Sequence, residues 1–151
     1  KIGLKTWSTA RVVTLQPAYQ RWLLAQGHSE TEAASGAGDV VAAVSNTLDS
    51  ETGRWLLDDH PEAAAEQAWS SQVGDTTLHH VIDRIFVTEG CRWIIDYKTA
   101  RLPEAELLQR AESYRPQLER YASLFATASV PLRLAIYFPL QGRLIELAPT
   151  K

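Results

Sequence analysis

The sequence predicts an α/β domain whose helical N-terminal half is followed by a mixed sheet flanked by helices. Three observations carry that expectation. Two apolar runs near the middle, VIDRIF at 81–86 and WIIDYKT at 93–99, are each interrupted by an acid. Glu89-Gly90 lies between them, a pair that favours a tight two-residue hairpin turn. Apolar residues at helical spacing precede the runs, and a helical stretch divided by proline follows them.

Taken in order, residues 1–15 match no recognisable pattern and stand as an unassigned leader. Residues 16–151 read as a single domain, with a helical part over 16–62 and a sheet-plus-helix core over 63–148. Residues 17–26 are predicted helical around Trp22, Leu23 and Leu24, with Gly27 as a stop. Ser29-x-x-Glu32 has the form of a capping box. It opens a helix toward Asp49 in which Val40, Val41, Val44, Thr47 and Leu48 recur at helical spacing, although Gly36 and Gly38 weaken its first half. A short helix over 53–60 ends before Pro61. Residues 62–70 carry Glu66 into a first strand, and 75–87 with 91–99 form a hairpin. Leu102-Pro103 leads into a helical region divided by Pro116, which suits the first turn of a helix. Residues 133–139 and 142–147 make a last pair of strands. No internal repeat is evident.

The hairpin carries the chemistry. With Glu89 and Gly90 at the centre of the turn, Asp83 falls directly opposite Asp96. Opposed side chains share a face with Cβ atoms about 4.5–5.5 Å apart, and Lys98 lies on that face by the two-residue period. Facing like charges on an apolar hairpin break a local rule, as functional sites do. A divalent cation would offset the cost, because hard oxygen ligands are what Mg²⁺ selects. The competing readings are an Asp83–Arg84 pair, or a three-residue loop that would set Ile82 opposite Asp96.

Composition bounds the answer. The chain of 151 residues, 45% hydrophobic and 22% charged, suits one compact soluble domain. Its one cysteine, Cys91, excludes an internal disulfide framework and a four-thiolate cluster. No run approaches 18 apolar residues and no signal peptide is visible, so the expectation is a cytoplasmic protein without a membrane span. The chain starts at Lys1 and contains no Met, and so reads as an excised fragment of a longer protein or a processed product. A net charge of −3 speaks against a free-standing nucleic-acid binder. Arg101, Arg110, Arg115 and Arg120 offer either a local basic face or a solvated helix surface. No Walker loop, dinucleotide fingerprint or nucleophile elbow occurs.

The two runs, together with Tyr114-x-x-Gln117-Leu118-x-x-Tyr121, the apolar strand at 134–138, and TGRWLL at 52–57 followed by Glu66, resemble the PD-(D/E)xK nuclease superfamily. Within it, residues 17–148 resemble the RecB/AddA-type nuclease domain, which lies C-terminal to UvrD/Rep-like helicase motors as in exodeoxyribonuclease V beta subunits. The resemblance implies an α-β-β-β-α-β, restriction-endonuclease-like core. It implies Mg²⁺, with Mn²⁺ as a substitute, held by Asp83, Asp96 and the Tyr97 backbone carbonyl, and Lys98 serving the attacking water. Glu66 would be a further catalytic acid, and Tyr114, Gln117 and Tyr121 would support the site or the DNA. The implied partners are DNA, as a single-stranded end or unwound strand, attached UvrD-like helicase domains and an AddB/RecC-like subunit. ATP would be used only in the helicase part. The implied setting is double-strand-break processing and recombinational repair in the bacterial cytoplasm, associated with the nucleoid.

Some relatives carry an iron–sulfur cluster, which one cysteine cannot build. Members of this type also carry a histidine ligand in a Gly-x-x-x-His context. None occurs here, so the resemblance implies weakened metal binding and low cleavage by these residues alone. Glu66 reads equally as an exposed acid beside Glu62, and Tyr121 as a core residue. His79 and His80 read as structural, and His28 and His60 fall in loops, with no partner visible in the sequence. Two further readings stay open: a catalytically silent nuclease fold kept for DNA binding or subunit docking, and a stand-alone resolvase or restriction-type nuclease.

Overall fold

Helix capping organises the N-terminal half. The Ser29 hydroxyl accepts the Glu32 N–H at 3.3 Å, and the Glu32 carboxylate accepts the Ser29 N–H at 2.9 Å. That reciprocal box starts α3, and the Ser29 hydrogen bond also holds the Glu32 carboxyl below its ordinary pKa. In the computed structural model, which describes residues 4–73, 76–125 and 130–148 without the side chains of Gln67 and of residues 70–80, the helices are α1 (Thr9–Thr14), α2 (Gln16–Ala25), α3 (Glu30–Asp49) and α4 (Glu51–Leu57). Helix α2 ends as predicted at Gly27, whose φ of +94° is the left-handed conformation that glycine adopts freely.

Two helices differ from expectation. The unassigned leader contains α1, where the Ser8 hydroxyl caps the Arg11 N–H at 3.3 Å. Six residues are too few for a helical period to show. Helix α4 was expected over 53–60 but begins at Glu51, because Ser50 caps the Gly53 N–H at 2.9 Å. Gly53 is required there: a Cβ at that position would overlap the Thr47 carbonyl.

The chain divides into two compact units. One comprises Lys1–Asp58, Thr99–Arg101 and Phe138–Arg143, and the other Asp59–Lys98, Leu102–Tyr137 and Leu144–Lys151. The strands β1 (Ala64–Val73), β2 (Thr76–Thr88), β3 (Cys91–Tyr97), β4 (Leu132–Phe138) and β5 (Arg143–Leu147) form a five-stranded sheet in that order. Strands β1–β2 and β2–β3 pair antiparallel, and β3–β4 pair parallel. The mixed sheet with flanking helices is the architecture expected from the sequence. Asp75, expected to start the second strand, lies outside the described residues. Strand β3 stops at Tyr97, short of the expected 99, as the chain passes into the helical unit at Thr99.

The β2–β3 register is the predicted one. Pairs run from Thr88–Cys91 to Arg84–Ile95 across a two-residue turn. Glu89 and Gly90 have φ of +50° and +72°, the paired positive values of the turn that matches strand twist. Ile94 and Ile95 are both fully buried, so β3 is covered on both faces. One cover is supplied by α6 (Arg115–Ser123), which packs on β3 and starts with Pro116 in its first turn. A 3-10 turn at Glu104–Glu106 and α5 (Leu107–Ser113) precede it. Among the described residues no helix is long and apolar enough to cross a membrane.

Candidate active site

One residue beyond the Arg84–Ile95 pair of the β2–β3 ladder, Asp83 and Asp96 stand opposite each other at the open end of the hairpin. Asp83 Oδ2 accepts the Tyr97 backbone N–H at 2.8 Å, which ties the acid across the hairpin to the end of β3. Asp96 is buried, 3% exposed. Its Oδ1 accepts a hydrogen bond from Gln117 Nε2 at 3.0 Å, and Lys98 Nζ lies 2.5 Å from its Oδ2. Burial pushes the Asp96 carboxyl above the ordinary aspartate range, and the Asp83 charge adds to that push. Lys98 and Gln117 act in the opposite direction.

Helix α6 supplies the remaining groups. Gln117 and Tyr121 are one turn apart and so share a helix face. Gln117 Nε2 also donates to the Tyr121 hydroxyl at 2.7 Å, while its Oε1 faces Lys98 Nζ at 3.3 Å. Tyr121 is 7% exposed, so it is a core residue and a member of the polar network at once. Tyr114, the residue joining α5 to α6, presents its ring to Lys98, with Nζ 4.7 Å from the centroid. The family resemblance brought Tyr114, Gln117 and Tyr121 into view. Tyr114 and Gln117 meet at Lys98, with Tyr121 joined through Gln117, and that meeting has no local signature.

Glu66 lies in β1. The flanking pairs Ala65–Arg84 and Gln67–Ile82 set it opposite Asp83. It is exposed, with a φ of +49°, a left-handed conformation costing a non-glycine residue about 1–2 kcal/mol. Such strain inside a strand is more typical of functional positions than of regular sheet. Among the described residues, no three His, Cys, Asp or Glu side chains gather closely enough to hold a metal ion. Two opposed aspartates would offer hard oxygen ligands of the kind Mg²⁺ takes, and Mg²⁺ keeps several waters in its own shell. That donor chemistry fits the cation the sequence suggested.

Of the four arginines considered as a basic face, Arg101 pairs with Asp39, and Arg115 binds Glu112 at 2.7 Å and the Ala148 carbonyl at 2.9 Å. Arg110 and Arg120 are exposed. His60 stacks on Phe86 at 4.1 Å, a structural role. The side chains of His79 and His80 lie outside the described residues.

Buried Asp96 facing Asp83, with Lys98 two residues on, is the acid–acid–lysine pattern of one enzyme family. The family model of the PD-(D/E)XK nuclease superfamily matches residues 8–148, and the chain belongs to that superfamily. The match takes in α1. No curated protein matches the chain.

Proposed function

We propose that this chain is the nuclease domain of a bacterial helicase–nuclease of the RecB/AddA type, a Mg²⁺-dependent exonuclease acting in double-strand-break processing and recombinational repair. The observation that carries the chemistry is the buried Asp96 carboxylate, gripped by Lys98 and Gln117 and opposed by Asp83. Asp83 and Asp96, joined by the Tyr97 backbone carbonyl, would hold the cation. When bound, Mg²⁺ supplies positive charge to the phosphate and makes water a better nucleophile at neutral pH. Lys98 holds the attacking water near phosphorus and adds a second positive charge where negative charge develops. Gln117 fixes both partners: its amide N–H orients Asp96, and its carbonyl oxygen faces the Lys98 ammonium. The strained Glu66 is the candidate further acid at the edge of the site.

The helicase-linked assignment rests on the YxxQLxxY element, whose three polar side chains form the network around Asp96 and Lys98. Attached UvrD-like helicase domains, an AddB/RecC-like subunit and DNA as an unwound single strand are the partners this reading calls for. The test is degradation of linear single-stranded DNA against circular DNA. Mg²⁺-dependent loss of the linear substrate alone supports the exonuclease. Equal attack on circles points instead to a resolvase or restriction-type enzyme.

One observation favours a second reading, a silent nuclease fold retained for DNA binding or docking. Lys98 occupies Asp96, and among the described residues no three His, Cys, Asp or Glu side chains gather to hold a metal. Chelator-insensitive DNA binding without cleavage would favour that reading.

A further inference from the structure

We infer that Tyr114 is a positioning residue whose ring face seats the Lys98 ammonium. The inference rests on the nuclease reading only for its catalytic consequence. Among the described residues, three groups lie around Lys98 Nζ: Asp96 Oδ2 at 2.5 Å, Gln117 Oε1 at 3.3 Å and the Tyr114 ring, its centroid at 4.7 Å. The last distance lies inside the roughly 6 Å range over which an aromatic face attracts a cation.

The three holds are not equivalent. Asp96 is a carboxylate that the proposed chemistry hands to a cation, which would cancel its pull on Lys98. Gln117 offers a neutral oxygen at a long hydrogen-bonding distance. The ring carries no site for a divalent ion and competes with neither partner, so it holds the ammonium whether or not Asp96 is engaged. Its placement is rigid as well. The Tyr114 carbonyl accepts the N–H groups of Gln117 and Leu118 at 3.0 and 3.2 Å, launching α6. Ring and amide therefore belong to one turn and approach Lys98 together, three residues apart on one helix face.

The first measurement needs no activity. The chain has four lysines, Lys1, Lys5, Lys98 and Lys151. A proton beneath an aromatic face resonates upfield, so the Lys98 ε-methylene signal, identified by its loss in Lys98→Ala, should lie upfield of the other three. Tyr114→Phe should keep that shift and Tyr114→Leu should abolish it. An ordinary Lys98 position in the wild-type protein overturns the inference, even if the leucine variant fails to fold. The second measurement is steady-state cleavage. Tyr114→Leu should lower kcat by about tenfold, equivalent to about 1.4 kcal/mol of lost positioning, with KM unchanged. Tyr114→Phe, which restores the ring without the hydroxyl, should recover most of that loss. A phenylalanine variant as slow as the leucine one, or a rise in KM in place of a fall in kcat, overturns the inference. If the wild-type protein cuts no DNA, the nuclease reading fails, and the Lys98 signal alone decides the role of Tyr114.

Discussion

Asp83 and Asp96 face each other across the open end of one hairpin but are held in different ways. Asp83 is half-buried and accepts a backbone N–H from Tyr97, whereas Asp96 is buried and gripped by Lys98 and Gln117. One acid is thereby tied to the strand end, and the other is coupled to the lysine and to helix α6. A buried carboxylate with a raised pKa and a charged neighbour is an arrangement typical of functional sites.

The raised pKa makes Asp96 a liability without metal. A folded-state pKa above the unfolded one means that the folded protein binds the proton more tightly. The resulting stability is fully present below the unfolded pKa and is lost as pH rises through the folded one. Asp96→Asn stays neutral and escapes that loss. Thermal melts of the metal-free proteins should show the variant gaining on wild type as pH rises from acid to neutral. A constant difference across that interval would contradict the burial argument.

Metal should reverse the liability. Mg²⁺ or Mn²⁺ binding to the folded state raises stability by about 2.7 kcal/mol at a hundredfold excess over the dissociation constant. Asp83→Asn should lose most of that gain in a melting titration. Identical titrations of wild type and variant would show that the two aspartates do not share a cation.

Glu66 should show opposed effects on stability and activity. Glu66→Gly relieves the left-handed backbone and should stabilise the metal-free protein by about 1 kcal/mol, read by denaturant unfolding, while lowering cleavage. A variant that is stabilised and fully active would leave Glu66 outside the site.

Gly53→Ala tests the helical unit independently. The added methyl meets the Thr47 carbonyl, and overpacking of this kind costs about 1–3 kcal/mol. Denaturant unfolding should show that loss. A stability equal to wild type would mean that the α3–α4 junction yields easily.

Much of this was legible in the sequence, for local reasons. Glu89-Gly90 determined the turn, the turn determined the register, and the register set Asp83 against Asp96 with Lys98 on the same face. Ser29 and Glu32 announced the start of α3. The helix at Thr9–Thr14 was hidden because six residues carry too little periodicity, and the start of α4 because Ser50 both ends α3 and caps α4. Around the site, the hidden parts are long-range or conformational. The Lys98–Asp96 ion pair and the Tyr114 ring depend on how α6 docks against β3. The left-handed backbone of Glu66 has no residue-type signal, since nothing in that position is glycine.

Asp83, Asp96 and Lys98 are proposed to form a metal-dependent nuclease site. Its most direct test is Mg²⁺-dependent release of nucleotides from linear single-stranded DNA, by wild type and by Lys98→Ala, with folding of both verified by their melts. Cleavage by wild type that vanishes with chelator and in the folded variant is the predicted result. Equal cleavage by wild type and Lys98→Ala would contradict it.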